Sequence, residues 1–73
     1  MTKLQYKRLI SNITQKQLSE LTGIARSQIA AYETGLRNPG VNTLFKLSEV
    51  LNCDIVDLVG DIKTNGFNKY KVQ

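Results

Sequence analysis

The side chains best suited to specific chemistry stand together where one short helical pattern restarts. Arg26, Ser27 and Gln28 follow the break at Gly23. Their polar ends carry hydrogen-bond donors and acceptors able to read base edges, and a guanidinium pairs two-pronged with guanine. Behind them Ser27, Ala30, Ala31 and Thr34 recur at i, i+3, i+4 and i+7. They therefore share one helix face, and all four are small. A small-residue ridge lets a helix sit deep in a DNA major groove about 12 Å wide, with its N-terminal end pointing at the bases. That end also favours a nearby phosphate. Bond-making chemistry has little to work with. The chain has no histidine, a single cysteine (Cys53) and no paired carboxylates in a cleft pattern. An enzyme, a metal site and a cofactor are therefore not expected.

These side chains need a scaffold to present them, and the pattern supplies short helices. Thr2 with Gln5, and Thr14 with Gln17, have the spacing of capping boxes. The first helix starts at Lys3, carries Leu4, Leu9 and Ile10 as a partial apolar stripe, and stops near Asn12, a residue that tolerates the left-handed turn. The second carries Leu18 and Leu21, with Ile24 following at the same spacing, and ends at Gly23, whose freedom at positive φ suits a tight turn. The third runs from about Arg26 to Thr34, with Ile29, Tyr32 and Leu36 inward and Gly35 as its stop. Leu36–Gly40 reads as a loop. Gly40 can cap a fourth helix with Leu44, Leu47, Val50 and Leu51 on one face, closed by Asn52. Asp54 caps a short fifth helix with Ile55, Leu58 and Val59, ended by Gly60. The expected fold is all-α, a compact bundle of five short helices, helices 2 and 3 forming a helix-turn-helix. The same spacing also occurs in proteins that bind no nucleic acid.

At 73 residues, 41% hydrophobic and 22% charged, the chain reads as one globular domain. Its stretch 1–60 carries the helices. Residues 61–73 form a polar, basic tail with a turn dipeptide at Asn65-Gly66, readable either as a frayed tail or as a dimerisation or DNA-backbone arm. No apolar run approaches the ~18 residues of a membrane span. The polar N-terminus does not read as a signal peptide, so the cytoplasm is the expected compartment. The net charge of +4 favours a polyanionic partner. Lys3, Lys7, Arg8, Lys16, Arg26 and Arg37 all precede residue 40, whereas Asp54, Asp57 and Asp61 come late. This split would place the acids away from DNA.

The stretch from Arg8 to Leu58 resembles the lambda-repressor-like, Cro-type (XRE) helix-turn-helix family. The resemblance rests on Arg8, "ITQKQL", "GI" at 23–24, Ile29, "YETG" at 32–35, Pro39 and "TLFKLSEVLNCDIVDL" in that order. It implies a bundle of four or five helices that binds double-stranded operator DNA as a dimer and regulates transcription. Carried over by position, Arg26, Ser27, Gln28 and Ala31 become the base-contacting residues, Ala31 against a thymine methyl. Gln15, Thr34 and Arg37 become phosphate contacts. Arg8 and Glu33 match a structural ion pair, and Cys53 takes a core aliphatic position. Three residues depart from the family pattern. Ala25 stands where a capping Ser or Thr is usual, Ser19 where Ala is common, and Lys7 where Leu is frequent.

Two functions follow. The first is a sequence-specific DNA-binding regulator, a repressor, acting as a homodimer through Ile55 and Val59 of helix 5 or through the tail. The second keeps the fold but acts by binding another protein, as a small modulator or antitoxin-like partner. No membrane partner is expected.

Overall fold

A computed structural model describes residues 1–59 as five helices: α1 Lys3–Ile10, α2 Gln15–Thr22, α3 Arg26–Glu33, α4 Val41–Val50 and α5 Val56–Val59. There is no strand among these residues. The readings placed on Gly60 and on the tail, 61–73, lie outside the described residues.

Local chemistry accounts for where the helices begin and end. At the start of α2, the Gln17 amide donates to Thr14 Oγ1 at 3.0 Å and the Thr14 amide donates to Gln17 Oε1 at 2.9 Å. This is a complete capping box. At α1 the Gln5 amide donates to Thr2 Oγ1 at 3.2 Å, which is the forward half of the expected box. At α5 the engaged carboxylate is that of Asp57, which accepts from the Asp54 amide at 3.2 Å. The expected cap from Asp54 is thus replaced by the return half, supplied three residues later.

Three helices close in the same way. Asn12, Gly35 and Asn52 hold φ of 60°, 80° and 53°. The next amide in each case reaches back five residues: Ile13 to the Arg8 carbonyl at 3.2 Å, Leu36 to Ala31 at 2.9 Å, and Cys53 to Ser48 at 3.0 Å. Such bonds satisfy carbonyls that a helix end would otherwise orphan.

The core gathers Leu4, Leu18, Ile24, Ile29, Leu44, Leu47, Leu51 and Leu58, with Tyr32, Val50 and Cys53 packed against it. α2 packs on α3 and α4, while α1 packs on α5 and α3. Three expected apolar stripes are corrected. In α2 Leu18 is fully buried but Leu21, three residues on, is exposed. α1 turns Leu4 and Arg8 inward, four residues apart, and this rotation leaves Leu9 and Ile10 exposed. Leu36 is 79% exposed. The stripe that included it assumed a continuing helix, but Gly35 redirects the chain before Leu36 is reached. Ile55 and Val59 are half-buried against the core, so the apolar side chain that α5 exposes is Val56. No helix among the described residues is long and apolar enough to cross a membrane.

Candidate nucleic-acid interface

α3 owes its position to a short turn and to a buried ion pair. The turn follows Gly23, which closes α2 at φ 77° with its amide on the Ser19 carbonyl at 2.8 Å. Ile24 then drops into the core and Ile29, five residues on and inside α3, is fully buried, so two apolar side chains anchor the start of α3. Ala25 provides no side-chain cap at the start of α3.

At the other end of α3, Glu33 is buried and accepts from Arg8 twice, Nε to Oε2 at 2.5 Å and Nη2 to Oε1 at 3.0 Å. Arg8 Nη1 donates to the Ile13 carbonyl at 2.9 Å. The side chains of Arg8 and Glu33 are only 9% and 2% exposed, so this pair is inside the fold rather than on its surface. The hydrogen bond to Glu33 raises the guanidinium pKa further above its ordinary value, burial opposes that, and the carboxylate charge adds to the rise.

The outward face presents the polar tip. Arg26, Ser27, Gln28 and Thr34 are exposed, while Ala30 and Ala31 are half-buried and lie between them. No long side chain of α3 rises between Ser27 and Thr34 on this face, so a groove wall can approach the helix backbone closely. The Thr34 hydroxyl donates to the Ala31 carbonyl at 3.1 Å. Arg37 is exposed in the loop that follows, its amide on the same carbonyl at 3.2 Å. This loop closes over the core beside Thr2 and Tyr32 and leaves a pocket of about 30 Å³, room for roughly one water.

Gln15 is tied inward. Its amide nitrogen donates to Glu33 Oε1 at 3.0 Å. An amide nitrogen has two protons, so one is left for an external acceptor. The first residue of α2 is thereby linked to the last residue of α3 and, through Glu33, to α1. Sequence reasoning missed this link because its ends are 18 residues apart. It also missed Thr22, whose hydroxyl accepts from the Ile24 amide at 3.1 Å. A hydroxyl residue directly before the glycine stop was the available signal.

Cys53 is half-buried, and burial chiefly raises its thiol pKa. Lys7 opposes the shift, while Asp57 and Asp54 add to it. No cluster of metal-ligating side chains occurs among the described residues.

Comparison with known proteins identifies the helix-turn-helix. The family model described as helix-turn-helix matches residues 4–58. An uncharacterized HTH-type transcriptional regulator from Methanocaldococcus jannaschii is 34% identical over 56 residues, covering 77% of this chain and 85% of that protein. The cryptic phage CTXphi transcriptional repressor RstR of Vibrio cholerae is 29% identical over 70 residues, 96% of this chain but 63% of that one. Control protein C.SmaI of Serratia marcescens is 36% identical over 52 residues, 71% of this chain and 62% of that one. The chain thus spans less than two thirds of the last two relatives. No solved structure matches it.

Proposed function

The chain belongs to the helix-turn-helix family of DNA-binding transcriptional regulators, and from that premise we propose that it represses by laying α3 in the major groove of a specific operator. The observation that carries this reading is the exposed tip Arg26–Gln28 ahead of an outward α3 face of small residues. Arg26 pairs with a guanine edge, Ser27 and Gln28 supply further base contacts, and Ala31 packs on a thymine methyl. Gln15, with its second amide proton, and Arg37 and Thr34 at the far end of α3 hold phosphates on either side, Thr34 by turning its hydroxyl proton from the Ala31 carbonyl to the phosphate. Such contacts set register without reading sequence. Two copies on an inverted repeat place their α3 helices about 34 Å apart, and the protein works in the cytoplasm.

Selection of bound sites from random duplex DNA tests this reading. The expected result is an enriched inverted repeat. On that site Arg26→Ala should lower affinity by about 1–3 kcal/mol per half-site while leaving binding to random duplex much less affected. An Arg26→Ala protein that binds the selected site as tightly as wild type removes the base-reading role. No salt-dependent binding to any duplex, with salt-insensitive binding to a protein instead, would favour the protein-binding alternative, because phosphate contacts make affinity fall steeply with salt whereas an apolar protein surface does not.

A further inference from the structure

The three residues between α2 and α3 have to fix the angle of the reading helix, yet no side chain caps the start of α3. Ala25 offers no cap, and the first bonds within α3 run to its carbonyl, from Gln28 at 3.0 Å and Ile29 at 3.1 Å. The turn is held from the opposite side. The Ser19 hydroxyl donates to the Ile24 carbonyl at 2.6 Å. The Ile24 amide donates to Thr22 Oγ1 at 3.1 Å, and that hydroxyl donates onward to the Leu18 carbonyl at 2.7 Å. Both backbone polar groups of Ile24 are thus satisfied by α2 side chains, while its own side chain is buried in the core at 7% exposure. A buried residue with both backbone groups so tied has little freedom to rotate.

We propose that Ser19 and Thr22 are the positioning residues of the DNA-reading helix. Their two hydroxyls clamp Ile24 on α2 and so set the angle at which Arg26 leaves the bundle. The proposal rests on α3 being the helix that reads DNA. It adds that the sequence specificity of this chain depends on two side chains that touch no DNA. A base contact tolerates little misplacement, whereas nonspecific attraction to phosphates tolerates much more. Loosening the clamp should therefore reduce discrimination between sequences more than it reduces overall attraction.

The test compares wild type with Ser19→Ala, Thr22→Val and Thr22→Ser by two measurements. The first is the ratio of affinity for the selected operator to affinity for a random duplex of equal length. Ser19→Ala and Thr22→Val should each lower this ratio about 3- to 10-fold, the worth of one hydrogen bond, and Thr22→Ser, which keeps the hydroxyl, should restore it. The second is amide hydrogen exchange without DNA. Exchange at Ile24 should quicken by a similar factor in Ser19→Ala and Thr22→Val and stay near wild type in Thr22→Ser. If Thr22→Val does not fold, Ser19→Ala and Thr22→Ser decide. An unchanged affinity ratio with unchanged exchange overturns the proposal, as does Ser19→Ala weakening operator and random duplex equally. If wild type shows no sequence preference, groove reading by α3 has failed instead, and the exchange measurement alone then decides the clamp.

Discussion

Glu33 ties three helices together through its carboxylate. It accepts two buried bonds from Arg8 and a half-buried one from Gln15. Removing it leaves a buried guanidinium without its counter-charge and frees the first residue of α2. Glu33→Ala should cost about 3–5 kcal/mol, read from urea unfolding, whereas Arg8→Met combined with Glu33→Leu should recover most of that loss. A single-variant cost under about 1 kcal/mol would mean that the pair is solvated in solution. Cys53 makes a prediction of opposite character. Burial raises its thiol pKa in the folded chain, so the unfolded chain ionises first. Stability from this group is complete below the ordinary thiol value near 8.5 and is lost as pH rises through the higher folded value. Cys53→Ala should remove that alkaline decline from a series of unfolding curves, and an identical decline in the variant would assign it to other groups. These two residues also show what a sequence can reveal. The resemblance places Cys53 in the core, in keeping with a free cysteine's behaviour as a small hydrophobe, and it is half-buried there. The type of Arg8 points the other way, because a charged residue is ordinarily placed outside. Only the resemblance paired it with Glu33, 25 positions away.

The helices differ in how firmly their ends are fixed: neither α3 nor α4 has a side-chain cap at its start, and Ala25 is a poorer cap residue than Gly40. α2 has both halves of a capping box, whereas α3 begins on Ala25 with no side-chain acceptor. Ala25 already holds extended-like angles of φ −59° and ψ 139°, so a serine there needs little rearrangement. Ala25→Ser should therefore stabilise the fold by about 1 kcal/mol, visible as a higher urea midpoint at unchanged slope. No gain would show that the exposed amides of α3 are already well served by water. At this scale the sequence was most legible where a residue type has one strong local preference. Asn12, Gly23, Gly35 and Asn52 stop helices at positive φ, and Thr14 with Gln17 starts one. It was least legible where orientation depends on partners far along the chain. The hydropathy pattern of α1 placed Leu9 and Ile10 inward, yet the buried position belongs to Arg8, whose partner sits on α3. Leu36 went astray for a related reason, since a stripe extended past a helix stop no longer describes a helix.

At the scale of the whole molecule, the question is whether several modest charges act as one surface. Arg26 and Arg37 lie at opposite ends of α3, and both are exposed. The acids Asp54 and Asp57 belong to the α5 region, which packs on α1. Binding to duplex DNA should therefore weaken linearly in log–log form with salt, each neutralised phosphate contributing about 0.9 to the slope. Arg37→Ala should reduce affinity for operator and random duplex alike, because a phosphate contact carries no sequence information. It should also reduce the steepness of the salt dependence by about one per protomer bound. The size of that change counts copies: about two on an inverted repeat if a pair of chains docks symmetrically, about one if a single chain binds. Fluorescence anisotropy titrations of wild type and Arg37→Ala across a salt series read both quantities together. An unaltered slope would remove Arg37 from the DNA backbone, whereas a change near one on a selected inverted repeat would leave groove reading intact and overturn the dimer.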